Sequence, residues 1–141
     1  MAQLTLQAGD WRDLGARAAA IRHEVFVVEQ GVPLDLEMDD MDEQAMHVVA
    51  WDAAGEAIAT GRILRDGHIG RIAVRAAWRR QGVGMRVMEV LCKAARDQGL
   101  LAAWLNAQLS ALAFYQGLGF VAADETFIEA GILHVQMRKF L

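Results

Sequence analysis

Residues 46–98 constrain the chain more tightly than any other stretch. "MHVVAWD", "AIATGRILR" and "HIGRIAV" are strand-length apolar runs, separated by "AAGE" and by Asp66–Gly67. Asp-Gly is a tight-turn pair, so the three runs read as an antiparallel meander. The meander runs into "RRQGVG" at Arg79–Gly84. From Gly82 to Gln98, Val83, Val87, Val90, Leu91 and Ala94 then mark one side of a segment at helical spacing, and Gly99 ends it. A half-apolar sheet and an amphipathic helix bury their faces against each other, which makes this a mixed α/β unit.

The flanks extend the pattern. "LTLQA" alternates as a short first strand, and Asp10 reads as a helix N-cap with Asp13 favouring the positive helix end. The helix is expected to run through "WRDLGARAAAIRHEVFVVE", burying Leu14, Ala18, Ile21, Val25 and Val28, until "QGVP" stops it. The acidic "LDLEMDDMDEQ" reads as a loop or irregular turn. After the second helix come a strand "LAAWLNAQ", a short helix "SALAFYQGL", and strands "GFVAAD" and "GILHVQMRKF". The expected order is β-α-β-β-β-α-β-α-β-β. That is an α/β (α+β) arrangement, a mostly antiparallel sheet of six to seven strands flanked by helices. A length of 141 residues fits one domain, 1–141, with no internal repeat or linker.

Composition narrows the function class. The chain is 55% hydrophobic and 23% charged, as expected for a folded protein. No apolar run approaches the roughly 20 residues of a membrane span, so no membrane partner is expected. "MAQLTLQAGDWRD" lacks a basic start followed by an apolar core, so no signal peptide is expected either. The single cysteine, Cys92, excludes an internal disulfide and a Cys-based zinc site, and a cytoplasmic location follows as the expectation. The net charge of −4 hides an asymmetry. His23 to Gly61 carries ten acids and no Lys or Arg, whereas Gly67 to Met88 carries five arginines and no acid. This separation suggests an anion bound near the arginines and a cationic ligand near the acids. Nucleic acid is not an expected partner, because the basic segment is short and the acidic half repels phosphate.

"RRQGVG" joins a strand to a helix. The first amides of a helix have no internal partner and carry the positive end of its dipole, so such a turn can cradle a phosphate. Gly82 and Gly84 keep Cβ atoms away from the anion, and Arg79 and Arg80 add charge-assisted bonds. The segment is neither a phosphate-binding Gly-Lys-Ser/Thr loop nor a dinucleotide fingerprint. Taken alone, it fits an ordinary loop equally well.

"RIAVRAAWRRQGVGMRVMEVL" resembles the acetyl-coenzyme A motif of the GNAT N-acetyltransferase superfamily, with Arg79, Gly82 and Gly84 at its fixed positions. "AQLSALAFYQGLGF" resembles the second cofactor motif of that family. "IRHEVFVVEQGVP", the acidic run into "MHVVAWD", and "GILHVQMRK" look like its small ElaA-like subgroup. The resemblance spans nearly the whole chain. It implies the GNAT fold, with splayed central strands, and acetyl transfer from acetyl-coenzyme A to a primary amine in a ternary complex, with no metal. It implies that backbone amides of Gln81, Gly82, Val83 and Gly84 meet the pyrophosphate. Arg79, Arg80, Gln108 and Phe114 complete the implied cofactor contacts. Ile72, Ala73 and Val74 would face the pantetheine and acetyl group, an amide near Val74 would polarise the carbonyl, and Tyr115 would protonate the leaving thiolate. Tyr115 is the sole tyrosine of the sequence. Dimers are common in the family, so a homodimer is a further expectation.

Four departures stand out. Gln108 replaces a frequent asparagine, and Arg80 and Ala76 replace a common glycine and proline. Gly70 stands where many members carry a glutamate as general base. His68, two residues earlier, is the first substitute, with Glu29, His47 and His134 as others. Arg22, Phe26, Glu29 and His134 are candidates for the acceptor site, a small-molecule or peptide amine. Arg22 and Glu29 could equally pair with each other. The missing glutamate leaves open an alternative, a non-catalytic acyl-coenzyme A-binding or interaction module with a vestigial cleft. "DLEMDDMDEQAM" fails as a calcium loop because Asp40 replaces the glycine and Met46 the terminal glutamate. Cys92 reads as core, and no HExxH or G-x-S-x-G occurs.

Overall fold

A computed structural model describes residues 3–141. Met1 and Ala2, the start of the stretch read for a leader, lie outside the described residues. β1 (Thr5–Gly9) and α1 (Trp11–Arg22) open the chain, followed by a π-helix (His23–Glu29) and the single turn α2 (Leu34–Glu37). β2 (Met46–Trp51), β3 (Ala57–Ile63) and β4 (Ile69–Val74) form the meander, and α3 (Val83–Asp97) follows. β5 (Ala102–Gln108), α4 (Leu112–Gly117), β6 (Val121–Glu129) and β7 (Ile132–Phe140) complete the fold.

The strands form two antiparallel sheets, ordered β1-β2-β3-β4 and β5-β7-β6. They meet at one parallel bridge, His68 to Trp104, where the Trp104 amide donates to Gly67 O at 2.9 Å. Beyond that bridge β4 and β5 separate, and the gap between them is the splay expected from the family resemblance.

Helices cover both faces of the first sheet. Leu14, Ala18, Ile21 and Val25 of the first helical segment pack on Val49, Ala57 and Ala73. Val83, Val87, Met88, Leu91, Cys92 and Ala95 of α3 join Val48, Ala50, Ile58 and Ala59 on the other face. Adjacent residues of β2 thus serve opposite cores, which is why that strand reads as a continuous apolar run. α3 rests directly on Gly61, where an added Cβ would lie 2.5 Å from Ile72 Cδ1 and 3.0 Å from both Leu91 and Val87. Opposite Gly61 the β3–β4 register slips, so β4 bulges at Arg71 and Ile72, with Arg71 in the left-handed region at φ 55°.

The Asp10 cap is present, with its carboxylate accepting from the Asp13 amide at 3.0 Å. Two expectations need correction. The first helix does not stay α-helical to Glu29, because it widens to a π-helix from His23. Each wider turn holds one more residue than an α-turn and rotates the apolar stripe away from the core by about 100°. Val25 remains buried, but Val28 is 70% exposed. The penultimate strand runs on to Glu129 rather than ending at Asp124, with an irregularity between Ala122 and Thr126 that breaks its alternation. The acidic segment is an irregular turn, as expected. It contains α2 and a 3-10 turn (Asp42–Gln44), and it turns Glu37 and Asp42 inward.

Those carboxylates meet three arginines. Arg22, 1% exposed at the end of α1, donates Nε to Glu37 Oε1 and Nη1 to Asp42 Oδ1 at 2.7 Å. Arg62 of β3 donates to both oxygens of Asp39 at 2.7 Å and to Asp42 at 2.9 Å. Arg71 of β4 reaches Asp39 at 3.2 Å. Arg22 is therefore a structural cation, not an acceptor-site residue, and it does not pair with Glu29.

Removing one partner of a buried ion pair strands the other, at about 3–5 kcal/mol. Arg22→Met should accordingly lose about 3–5 kcal/mol in urea unfolding, and a loss below about 1 kcal/mol would mean that the cluster is dispensable. A second expectation concerns pH. His47 is buried against Trp11, its Nε2 lies 2.8 Å from Asp42 O, and burial pushes it below its ordinary value of 6.5. On acidification the unfolded chain takes up that proton first, so stability present above pH 6.5 is lost as pH falls through the folded-state value. Thermal melts from pH 8 to 5 should show this decline, and His47→Gln should flatten it in part, because His68, shifted in the same direction, remains.

Candidate active site

The gap between β4 and β5 leads into a cleft of about 450 Å³ lined by residues of the π-helix, α2, β4, β5, α4 and β7. A smaller recess of about 170 Å³ shares Ile69, Gly70, Arg71, Asn106 and Glu129 with it and ends at His68. Of the residues expected at the site, Phe26, Ile72, Gln108, Tyr115 and His134 line the main cleft.

The β4 wall supplies backbone polarity. The Arg75 amide donates to Ile58 O at 2.9 Å, so the antiparallel alternation turns the N–H and C=O of Val74 to the other edge, toward β5. The Val74 carbonyl is taken by Arg79 Nε at 2.9 Å. Its amide faces the gap between the strands. Ala73 points the other way and is buried under α1.

α3 begins at the glycine turn. Gly82 has φ 79° and makes no side-chain cap, and the first backbone bond of the helix runs from Arg86 N to Gly82 O at 3.2 Å. The amides of Val83, Gly84 and Met85 therefore lack helical partners. A Cβ on Gly84 would lie 3.9 Å from both Phe114 Cζ and Val74 Cγ2. The glycine turn, the β4 end and the Phe-Tyr helix thus converge on one spot. The Val83 side chain is buried in the core, which leaves only its backbone for an anion. Free amides, an αL glycine and an uncrowded Gly84 suit a pyrophosphate. Arg80 and Gln81 are exposed beside them, and Gln81 Nε2 donates to Ala77 O at 3.1 Å.

Arg79 departs from the role expected of it. Its fork is closed on Glu29, at 2.6 and 2.7 Å. This pair holds the Glu29 carboxylate below its usual range, and both of its oxygens are engaged, which removes Glu29 as a base. Arg75 likewise faces Glu24 at 3.2 Å. The charge asymmetry of the sequence folds back on itself: Glu24, Glu29, Glu37, Asp39 and Asp42 are all matched to arginines. Among the described residues, Asp35, Asp40 and Glu43 of the acidic segment stay exposed and make no salt bridge.

Tyr115 packs edge-on against Phe114 and Phe120, with ring centres 5.0 and 6.1 Å away. Burial pushes its phenol above 10.0, so it stays protonated at neutral pH. The histidines separate clearly. His47 is sealed in the core. His68 stacks on Trp104 at 3.9 Å where the strands still touch, six residues and roughly 20 Å along β4 from Val74. His134 is at the open end. It pairs in register with Gln108, and Gln108 is as far beyond the bridge on β5 as Ile72 is on β4. His134 Nδ1 lies 2.7 Å from Ile132 O, which makes it the donor and leaves Nε2 with a free lone pair, 3.7 Å from Glu129.

The sequence reading missed Arg71, Glu37, Asn106 and Glu129 on these walls. Asn106 lies two residues before Gln108, on the same strand face, and alternation identifies it. Glu129 was lost with the early end given to β6. No cluster of three or more metal-ligating side chains occurs among the described residues.

Comparison with known proteins agrees with this geometry. Residues 11–141 match the family model described as an acetyltransferase (GNAT) domain. A Bacillus subtilis protein, the uncharacterized N-acetyltransferase YjcF, is 40% identical over 84% of this chain and 87% of its own. The solved structure of an acyl-CoA N-acyltransferase from Pseudomonas aeruginosa superposes with a TM-score of 0.86, at 34% identity, over 97% of this chain and 99% of the other. That of Escherichia coli ElaA superposes at 0.84, with 28% identity, over 96% and 99%.

The two glycines should respond differently to alanine. Gly82→Ala forces a side chain into positive φ and should cost about 1–2 kcal/mol of stability. Gly84→Ala fits the helix and should leave thermal stability nearly unchanged, yet it should weaken coenzyme A binding measured by calorimetry. Equal affinities for the wild type and Gly84→Ala would place the pyrophosphate elsewhere.

Proposed function

The chain belongs to the GNAT acetyltransferase family, and on that premise we propose that it moves an acetyl group from acetyl-coenzyme A directly to a primary amine held in the same cleft. The observation that carries this reading is the splay itself. Tyr115 and His134 line one cleft between the diverging strands, and strand alternation turns the Val74 amide toward the same gap.

The cofactor, when bound, supplies a thioester whose acetyl group is the piece transferred. The free amides at the start of α3 hold its pyrophosphate. The Val74 amide donates to the carbonyl oxygen as negative charge develops there. His134 Nε2 accepts a proton from the amine, because an ammonium has no lone pair with which to attack. The N–C bond forms, the C–S bond breaks, and Tyr115 passes its proton to the departing thiolate. The Ile132 carbonyl holds the imidazole in the tautomer that leaves Nε2 open, and Glu129 stabilises the imidazolium that results. His68, stacked at the closed end, stands too far along β4 for this role.

Tyr115→Phe and His134→Gln should each lower kcat for thiol release across an amine panel by about 10²–10⁴-fold. Both variants should keep the thermal stabilisation conferred by coenzyme A. Stabilisation by coenzyme A with no thiol release for any amine would favour a non-catalytic acyl-coenzyme A-binding module. No stabilisation at all would favour an interaction subunit with a vestigial cleft.

A further inference from the structure

Of the three arginines in the charge cluster, Arg71 makes the longest bonds, and it is the one that lines the main cleft. Arg62 already holds both oxygens of Asp39 at 2.7 Å. Arg71 is left with longer bonds, Nε to Glu37 O at 3.3 Å and Nη2 to Leu36 O at 3.4 Å and to Asp39 Oδ2 at 3.2 Å. Its Nη1 has no hydrogen-bond partner among the described residues. The side chain is 28% exposed and borders both the main cleft and the smaller recess. Burial, and then the neighbouring Arg62 cation, make this the least comfortable guanidinium of the three. A guanidinium remains charged under such pressure and instead draws in an anion. Beside it, a Cβ on Gly70 would meet nothing within 4 Å, so no side chain at that position competes for the fork.

The opposite wall carries the complementary sign. Glu129 borders the same two spaces next to His134. Glu37 also lines the cleft: its Oε1 is committed to Arg22 and lies 4.0 Å from Arg71 Nε, and its Oε2 is buried without a hydrogen-bond partner among the described residues. A second ammonium on the acceptor would therefore meet Arg71 as a like charge, whereas a carboxylate would complete its bonding.

We infer that the acceptor is an amine that also carries a carboxylate, and that Arg71 is the specificity-determining residue that binds this carboxylate while the amine faces His134 and Glu129. The amine half rests on the acetyl-transfer reading. The anion half rests on the geometry of Arg71 alone.

The test uses amino acids, from glycine to 6-aminohexanoate, each beside its own carboxamide. Acid and amide share the ammonium and differ only in the anion. Thiol release from acetyl-coenzyme A is measured for each pair, together with calorimetric binding to protein saturated with coenzyme A. At least one acid should exceed its amide by roughly 10- to 100-fold in kcat/KM, the range of a charged hydrogen bond, and mainly through KM. Arg71→Asn, which tolerates the positive φ, should bring that ratio close to one, and Arg71→Lys should retain part of it. Equal use of acids and amides by the wild-type protein would overturn the inference, as would a preference that survives in Arg71→Asn. If no amine releases thiol but acids still bind in an Arg71-dependent way, the transfer reading fails and the anion site stands. If neither release nor binding of any acid occurs, both fail.

Discussion

Two buried guanidiniums and one half-buried one hold the cleft wall in place. An arginine cannot shed its charge, so burying Arg22 and Arg62 and half-burying Arg71 obliges the fold to bring carboxylates to them. Glu37, Asp39 and Asp42 come from a segment with little regular structure of its own, and the ion pairs fix its position against α1, β3 and β4. Leu36 and Glu37 thereby become part of the cleft wall. The same contacts hold the bulge at Arg71, which would otherwise be a strained position in an ordinary strand.

The second constraint is the separation of β4 from β5. Two parallel strands that touch at one bridge leave a row of backbone groups without sheet partners. The fold deals with them in two ways. Arg79 takes the Val74 carbonyl from below the glycine turn, and the Val74 amide remains available for an oxygen that gains charge. α3 starts close by: an added Cβ on Gly84 would lie 3.9 Å from Val74 Cγ2. Packing sets this arrangement. With Gly61 under α3, the helix can approach β3 closely enough for its N-terminus to reach the mouth of the splay.

Much of the fold was legible in the residues. The meander, the α3 stripe, the Asp10 cap and the Phe-Tyr helix all follow from local periodicity and turn chemistry, which depend on near neighbours. The failures share a different cause. Val28 left the core because the helix widened, and β6 outran its expected end because an irregular patch hid its alternation. The pairing of Glu37, Asp39 and Asp42 stayed hidden because the arginines that they meet, as far as 34 residues away in sequence, are invisible to any local window. At the site, Tyr115 and the glycine turn could be named from motifs. The histidines could not be ranked, because their rank depends on where β4 and β5 part.

By itself, the sequence determined the order of elements, the two cofactor-binding signatures and the absence of a side chain at Gly70. These are properties of short segments, set by side-chain period, backbone freedom and residue type. The tertiary structure alone decided which charges cancel and which remain, since ion pairing depends on distance through space and on burial. It turned Arg22 and Glu29 into structural partners of other residues and moved His68 to the closed end of the splay. It brought His134 to the open end, set Glu129 between that cleft and the recess at His68, and left Arg71 facing the cleft with an unfilled fork.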